Sequence, residues 1–344
     1  MHIVQCYPGL VPPPPYGGIE RLVYWLSREL VRRGHRVTLL ADGRSEIGQL
    51  VPEIRLVPIP ERCNDYRPLI PADADVVHFH AAPDLGALPD APYLVTEHGN
   101  RNHFRDYTRN TVFVSRQHAR NHGAEHFVYN GVPVDEYPLR REKRRQMLFL
   151  AKLNWRAKNA RTAIDLSLDS DFPLVLTGGD LWHSRKVWGW WIARSLFRRP
   201  RLQCPGEVGG PAKLNLLQES CVLFYLVNWE EPFGLACQEA LSCGTPVLAT
   251  PNGALPEAIR HGENGFIART YAEALECLEI LNCHSTAQTA RMADACRASA
   301  MTMARCAEGY EGYYQRVIDG GDLYTDEERS GIRFRRPVSV RVVR

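Results

Sequence analysis

The sequence predicts an α/β protein built from two doubly wound parallel sheets. Short apolar segments alternate with segments of helical periodicity, and this alternation starts again after a charged stretch near residue 140. Strands and helices in such alternation form parallel sheets that are covered on both faces. A length of 344 residues is comfortable for two domains. We therefore expect one domain over residues 1–140 and a second over 141–303.

The first half begins with an apolar strand over residues 2–8. A helix is predicted over 17–35, and Gly34 is a fitting stop signal just past its last apolar residue. Its apolar positions recur at helical spacing: Ile19, Leu22, Val23, Leu26, Leu30 and Val31. Further strands of this half are predicted over 36–42, 75–81, 93–99 and 111–115.

The second half repeats the pattern from residue 147 onward. A last helix is expected over 304–320 and has no strand after it. It either closes the second domain or crosses back to the first, and we favour the crossing; a basic tail follows over 321–344. The strands predicted here are 172–179, 221–227 and 245–250, and the helices between them are 211–220, 234–244 and 256–262.

Composition excludes several classes of protein. With 44% hydrophobic and 24% charged residues the chain resembles a globular protein, and it has no apolar stretch long enough for a spanning helix. No signal-peptide pattern is found at the start. None of the ten cysteines forms a C-x-x-C pair, so we expect reduced thiols and a cytoplasmic location.

The net charge of +3 is unevenly spread, with arginine-rich stretches at 140–145, 194–201 and 333–344. These stretches fit a solvated surface or an anionic partner such as a phosphorylated ligand or an acidic membrane. No nucleic-acid-binding motif accompanies them, so we do not expect nucleic acid as a partner. The tryptophan-rich segment 182–199 leaves three interpretations open: a helix on the inner face of a membrane, a helix packed on the sheet, or an acceptor-binding wall.

Two loops place backbone amides or cations at strand ends. Gly17 and Gly18 open the first helix, where they favour either close approach of an anion or a tight turn with positive φ. Lys152 follows a strand and Lys158 precedes the next helix. Both fit a diphosphate site, and both also fit ordinary solvated lysines.

Two glutamates frame the start of the helix at 234–244. Glu231 lies in the loop after a strand, and Glu239 lies about one turn inside the helix. Helical geometry separates them by at most roughly 12 Å, near the span of a nucleotide sugar. A carboxylate accepts two hydroxyls of a diol well, so the pair suits a sugar at one end and a ribose at the other. The alternative is one capping and one solvated glutamate.

The segment EPFGLACQE resembles the E-P-F-G-(x)4-E signature of the retaining glycosyltransferases of family 4, which have the GT-B fold of two Rossmann-like domains facing a central cleft. The resemblance extends over nearly the whole chain. Other matching segments are YGGIERLVYWLSRELVRRGHRVTLLA, DVVHFH, VTEHG, VYNGVPVDEY and GTPVLATPNGALPEAIRHGENGFI.

The resemblance implies a role for each matching position. It places Glu231 and His98 beside the donor sugar at the reacting centre, and Glu239 on the ribose. The donor diphosphate falls to Lys152 and Lys158. The remaining implied contacts are Phe233, Gly234 and Leu235 with sugar hydroxyls, Gly17 and Gly18 with the phosphates or the acceptor, and Val208 with the base.

The basic pair departs from the family pattern. The family has arginine where Lys152 stands and an interval of five to its lysine, whereas here the interval to Lys158 is six, so Arg156 is an alternative for the first position. Asp73-Ala74-Asp75 has the spacing of a metal-binding pair, but it precedes its strand, away from the carboxyl ends. We therefore expect no metal and no cofactor.

The sequence thus predicts a retaining, metal-independent transferase that moves a hexose or related sugar from a nucleotide-diphosphate sugar to a glycan, lipid or natural-product hydroxyl. Two alternatives remain: a nucleotide-sugar-binding protein without transfer activity, and another GT-B enzyme of the epimerase or phosphorylase kind. No pattern in the sequence identifies the nucleotide base, the donor sugar or the acceptor.

Overall fold

The computed structural model of the chain describes residues 1–13, 17–100, 107–179, 189–190, 201–335 and 337–344. It divides into two compact units. Unit 1 comprises 1–133 and 301–336, and unit 2 comprises 134–300 and 337–344. Each unit is therefore assembled from two separate stretches of chain.

Unit 1 contains a parallel sheet of six strands within the described ranges. The strands are β1 His2–Cys6, β2 Arg36–Ala41, β3 Ile54–Pro58, β4 Val76–Phe79, β5 Tyr93–Glu97 and β6 Thr111–Phe113. Their order in the sheet is β3-β2-β1-β4-β5-β6, and every neighbouring pair is parallel. All residues of β1 and β4 are buried. The expected doubly wound sheet is thus confirmed.

The helices of unit 1 cover this sheet. They are α1 Ile19–Arg32, α2 Ile47–Leu50, α3 Arg116–Asn121, and, from later in the chain, Met303–Ile318 and Asp326–Gly331. Short 3-10 turns lie at Arg67–Leu69 and Leu85–Ala87. The helix Met303–Ile318 packs on α1 and on β4 and β5, with Tyr310 and Tyr314 fully buried.

Unit 2 repeats the architecture. Its strands are β7 Arg144–Leu150, β8 Leu174–Thr177, β9 Leu202–Gly206, β10 Ser220–Tyr225, β11 Val247–Ala249 and β12 Gly265–Ile267. Over the described part of the chain their order is β12-β11-β10-β7-β8-β9, again all parallel. A 3-10 turn at Arg156–Lys158 follows β7. The helices of unit 2 are α4 Ala160–Asp169, α5 Gly210–Glu219, α6 Leu235–Ser242, α7 Leu255–Ala258, α8 Tyr271–Asn282 and α9 Thr286–Ser299. In chain order, the two late helices of unit 1 are α10 Met303–Ile318 and α11 Asp326–Gly331.

The boundary between the units differs from the expected residue 140. The boundary lies after residue 133, because Tyr137 and Arg140 already bind unit 2. The Tyr137 hydroxyl donates to Glu239 at 2.6 Å, and Arg140 N–H donates to Cys243 O at 3.2 Å. The helix expected over 256–262 ends at Ala258, since Ile259 is extended with φ −104° and ψ 118°.

The residues of the expected basic tail, 321–344, are divided between the two units. Residues 321–336 belong to unit 1, and residues 337–344, here called the tail segment, pack into unit 2. Asn252 Nδ2 donates to Val340 O and Val340 N–H donates to Asn252 Oδ1, both at 2.8 Å. Asn159 Nδ2 donates to Val342 O at 2.9 Å, and Val342 is fully buried. Within the tail segment, Val342 therefore joins the core of unit 2, while the backbone around it is held by buried asparagines.

Removing residues 337–344 should lower the stability of unit 2 by about 2–5 kcal/mol, because a buried valine is lost and buried asparagine groups lose their partners. Removing only 343–344 is the matched control, since Val343 is exposed and the Arg344–Asp169 ion pair is partly exposed. Thermal unfolding of both truncations measures the difference. Equal melting temperatures would show that the tail segment contributes nothing.

Candidate functional site

The strand order of unit 2 reverses direction between β7 and β10, which are hydrogen-bonded neighbours through Leu148–Leu223 and Phe149–Phe224. In open α/β sheets, ligands bind beyond the carboxyl ends of the strands at such a reversal. The loop after β7 carries Lys158, and the loop after β10 carries Glu231. The topology thus brings together two residues that are 73 positions apart in the chain.

Glu231 is held through one of its two carboxylate oxygens. Its Oε2 accepts hydrogen bonds from Lys158 Nζ at 2.7 Å, from the Tyr225 hydroxyl at 3.0 Å and from Trp229 Nε1 at 3.0 Å. Within the described ranges, no donor contacts Oε1. One oxygen therefore fixes the side chain, while the other retains its capacity to accept hydrogen bonds.

The ammonium group of Lys158 lies in an aromatic box. Its Nζ is 5.1 Å from the ring centre of Trp155, 4.9 Å from that of Tyr225 and 5.0 Å from that of Trp229. Such distances give favourable cation–π interactions. Lys158 and Glu231 are each only 7% exposed. Neither residue is therefore a solvated surface group, and their charges balance inside the box.

Two glycines shape the backbone around Glu231. Gly253 has φ +59°, and a Cβ atom there would lie 2.2 Å from Glu231 O and 2.4 Å from Glu231 N. Ala254 N–H donates to Glu231 O at 2.9 Å. Gly234, with φ +89°, is the N-cap of α6. Since only glycine adopts these conformations without strain, the loop geometry is specified by the sequence.

Glu239 has a cation of its own. Its Oε1 accepts from Lys213 Nζ and from the Tyr137 hydroxyl, both at 2.6 Å, and the residue is 1% exposed. The interpretation of one solvated and one capping glutamate is therefore wrong, because both glutamates are buried and paired with lysine. The ribose contact of Glu239 stays a prediction, as does the base contact of the half-buried Val208.

Other residues predicted to contact the donor lie on or next to the same two loops. Phe233 is buried, and Leu235 is the half-buried first residue of α6, whose opening turn leaves N–H groups without intrahelical acceptors. Lys152 and Arg156 are both exposed, so burial does not distinguish them as the first basic position. Sequence reasoning missed Tyr225 and Trp229, although Trp229 directly precedes the two adjacent glutamates.

His98 follows β5 at the carboxyl edge of the sheet in unit 1. Its Nε2 lies 3.1 Å from Nδ1 of His80, which follows the neighbouring strand β4, and the two rings stack with centres 5.3 Å apart. His80 is 2% exposed, and burial lowers its pKa well below the usual value. The structure thus pairs His98 with a neutral histidine that the sequence analysis did not single out.

At Gly18 the glycine loop of unit 1 lacks the positive φ of a tight turn, and the contact of Gly17 and Gly18 with a ligand stays a prediction. Gly18 has φ −86°, so it does not adopt a left-handed conformation. A Cβ atom on Gly17 would lie 2.7 Å from Glu20 Oε2, and Glu20 accepts from the Tyr7 hydroxyl at 2.8 Å. Arg21 Nε donates to Gly17 O at 2.6 Å, so a carboxylate and a guanidinium both lie beside Gly17.

The Asp73-Ala74-Asp75 segment lies before β4, at the amino edge of its sheet. Asp73 Oδ1 lies 3.1 Å from His2 Nδ1, Asp73 Oδ2 accepts from Arg36, and Asp75 Oδ2 accepts from His2 N–H at 2.6 Å. Across the described ranges, no group of three or more His, Cys, Asp or Glu side chains is arranged to hold a metal ion.

The tryptophan-rich segment 182–199 lies outside the described residues, except for Gly189 and Trp190. Trp190 Nε1 lies 3.3 Å from both carboxylate oxygens of Asp165 in α4. Among the helices that the structure describes, none is long and apolar enough to cross a membrane.

Comparison with known proteins gives two family matches. The profile for "Glycosyltransferase Family 4" matches residues 16–136, and that for "Glycosyl transferases group 1" matches residues 136–278. Among curated proteins, N-acetyl-alpha-D-glucosaminyl L-malate synthase of Bacillus anthracis is 42% identical over 76 residues, which is 22% of this chain. That alignment spans 19% of the relative's length, so the chain covers about a fifth of it.

Solved structures match over almost the whole chain. AviGT4, a glycosyltransferase involved in avilamycin A biosynthesis, is 24% identical with a TM-score of 0.71, covering 93% of this chain and 98% of its own. Anabaena HepE in complex with UDP and glucose is 17% identical with a TM-score of 0.67, covering 90% and 98%. At these identities the similarity establishes the fold.

Proposed function

Since the chain belongs to glycosyltransferase family 4 and has the GT-B fold, we propose that it transfers a hexose or related sugar from a nucleotide-diphosphate sugar to an acceptor hydroxyl, with retention of anomeric configuration and without a required metal. The observation that carries the proposal is the buried Lys158–Glu231 pair at the strand reversal of unit 2. The UDP and UDP-glucose complexes of Anabaena HepE support a nucleotide-sugar donor.

Glu231 is assigned to the donor sugar through Oε1. Because Oε2 is bound by an ammonium group and two neutral donors, the carboxylate is fixed in position and its charge is drawn towards the box. Such a carboxylate suits hydrogen bonding to sugar hydroxyls better than covalent attack. This supports a mechanism in which the acceptor hydroxyl attacks on the side from which the diphosphate departs.

Lys158 is assigned to the departing diphosphate. An ammonium group has three N–H donors, and within the described ranges Glu231 and Tyr225 take two of them, which leaves one for a phosphate oxygen. The first turn of α6 adds amide donors and the positive end of the helix dipole. Fixed positive charge of this kind stabilises a leaving phosphate, which supports transfer that needs no metal.

Unit 1 is assigned the acceptor and the histidine contact. The Glu20 carboxylate beside Gly17 supports an acceptor hydroxyl at the glycine loop, since a carboxylate accepts hydrogen bonds from hydroxyls. His98 is assigned to the donor sugar, as the family resemblance implies. A glycan, a lipid and a natural product all remain acceptor candidates.

The test is thermal unfolding with UDP-, GDP-, ADP- and dTDP-sugars in the presence of EDTA. Ligands that bind only the folded state raise the melting temperature. We expect one nucleotide class to do so, undiminished by EDTA, and Lys158→Met to abolish the shift. Lys143→Met is the matched control: Lys143 precedes β7 and donates to Gln218 O, Cys243 O and Thr245 Oγ1, so its loss should lower stability but preserve the shift.

The outcomes distinguish the alternatives. Binding without release of nucleotide in the presence of any acceptor would favour a sugar-nucleotide-binding protein. Absorbance of a pyridoxal Schiff base would indicate a phosphorylase-like enzyme. NMR of the product anomer decides retention, and inverted product would reject the proposed mechanism.

A further inference from the structure

A buried chain of hydrogen bonds runs from His98 into the core of unit 1. His98 Nε2 lies 3.1 Å from His80 Nδ1, and His80 Nε2 lies 2.6 Å from Gln5 Oε1. Gln5 Nε2 donates to the Tyr314 hydroxyl at 3.1 Å, and that hydroxyl lies 2.7 Å from His78 Nδ1. The chain thus crosses β5, β4 and β1 and reaches α10.

Beyond His78 the chain continues to a second tyrosine. His78 Nε2 lies 2.7 Å from Thr96 Oγ1, and Thr96 donates to the Tyr310 hydroxyl at 3.1 Å. The inner members, from Gln5 to Tyr310, are at most 1% exposed. Water therefore does not substitute for these partners, and each hydrogen bond depends on its neighbours.

The Gln5 amide determines the donor-to-acceptor direction of the hydrogen bonds in this chain. Its oxygen can only accept, so His80 Nε2 carries the proton that is donated to Gln5. Burial, and then the charge of the neighbouring His78, lowers the pKa of His80, which is therefore neutral. A neutral imidazole with a proton on Nε2 has a lone pair on Nδ1. His80 Nδ1 consequently accepts from His98 Nε2–H.

Reversing one hydrogen bond would place two donors or two acceptors face to face. A buried polar group left without a partner costs about 1–3 kcal/mol. The chain can reverse only as a whole, including rotation of the Gln5 amide between two fixed partners. With the Gln5 oxygen towards His80 and its nitrogen towards Tyr314, the chain sets one tautomer of His98, with the proton on Nε2 and the lone pair on Nδ1.

We propose that His80 is a positioning residue for sugar transfer: it orients the His98 ring and holds it as the Nε2–H tautomer, with α10 anchoring the chain through Tyr314 and Tyr310. This inference rests on the proposed function, because it takes His98 as the residue that contacts the donor sugar. In that arrangement Nδ1 of His98 accepts a hydrogen bond from a sugar or acceptor hydroxyl.

The test compares His80→Asn with His80→Leu. Asparagine offers an oxygen near the position of Nδ1 and so keeps an acceptor for His98, whereas leucine removes it. We expect His80→Leu to reduce kcat by about 10- to 100-fold, by analogy with groups that orient a metal-ligating histidine through its second nitrogen. The asparagine variant should recover to within a few-fold of the parent, and the donor KM should change little in both.

A second readout needs no activity. Nitrogen-15 NMR distinguishes protonated from unprotonated imidazole nitrogens, and loss of a signal in His98→Asn assigns His98 among the 12 histidines. We expect His80→Leu to convert His98 from the Nε2–H form to a mixture. If the protein transfers no sugar, the proposed function is refuted, but the measurement of the His98 tautomer remains valid.

The control for stability is His2→Leu. His2 is 5% exposed, its Nε2 lies 2.9 Å from Thr38 Oγ1, and it lies at the amino edge of the same sheet. The His2→Leu substitution should lower the melting temperature without changing kcat or the His98 tautomer. The inference is wrong if folded His80→Leu retains the parent tautomer ratio and kcat, or if His80→Asn is as impaired as His80→Leu.

Discussion

Glu231→Gln should reduce kcat for sugar transfer by about 100- to 1,000-fold, the cost of removing one electrostatic group aimed at a reacting centre. The amide oxygen still accepts from Tyr225 and Trp229, so the side chain keeps its place. The neutral glutamine side chain no longer balances the charge of Lys158, which remains inside the aromatic box. Steady-state kinetics with the nucleotide sugar found by thermal unfolding measures the loss.

The same variant has a second expected effect. Leaving the Lys158 ammonium without its buried counter-charge should destabilise the free protein by about 3–5 kcal/mol. A bound diphosphate restores a negative partner, so a nucleoside diphosphate should raise the melting temperature of Glu231→Gln more than that of the parent. A purely structural role for Glu231 predicts no such enhancement.

Glu230→Gln is the matched control for this variant. Glu230 is 8% exposed, and its carboxylate accepts from Gly253 N–H and the Ser339 hydroxyl, which are neutral donors. Its replacement removes no counter-charge from Lys158, so kcat should stay within a few-fold of the parent. If Glu231→Gln retains full turnover, or if both variants lose activity equally, the role assigned to Glu231 is wrong.

Gly253→Ala should strongly destabilise unit 2 and inactivate the protein. A Cβ atom at this position, with φ +59°, would lie 2.2 Å from Glu231 O and 2.4 Å from Glu231 N. Backbone atoms have no rotamer by which to move away, so the two loops must separate. The conformational strain alone costs about 1 kcal/mol, and the displacement of Glu231 and of the Ala254 N–H bond adds to it.

Gly262→Ala isolates the conformational part of that cost. Gly262 has φ +83° in the same unit, and a Cβ atom there meets nothing within 4 Å. The Gly262→Ala variant should lose only about 1 kcal/mol of unfolding free energy and keep the kcat of the parent. Chemical denaturation and kinetics of the two variants separate strain from collision. Equal stability loss in both would show that the approach of Gly253 to Glu231 has no energetic importance.

The sheets were predictable because they depend on local pattern. Short apolar runs such as 221–227 indicated parallel strands buried on both faces, and β10 is found at Ser220–Tyr225. The same pattern indicated that Lys158 and Glu231 follow strands. It did not indicate that they contact each other, because the contact depends on β7 and β10 being neighbours, which is a property of strand order.

Other features of the site could not be predicted from the sequence for related reasons. Tyr225 and Trp229 appeared as an ordinary strand residue and an ordinary loop residue, and only the position of Glu231 Oε2 gives them a role. The Gly17-Gly18 pair predicts conformational freedom, but it does not reveal that Glu20 lies beside it. Lys152 and Arg156 are both exposed, so the choice between them depends on the ligand.

The discontinuous composition of the two units has a consequence for synthesis. Unit 1 lacks 301–336 and unit 2 lacks 337–344 until late in translation, so neither sheet acquires its full covering while the first 300 residues emerge from the ribosome. Domains usually fold as units, N-terminal first, during synthesis. Here neither unit is complete until residues 301–344 have been synthesised, so a chain that stops after residue 300 would leave two incomplete cores rather than one finished domain.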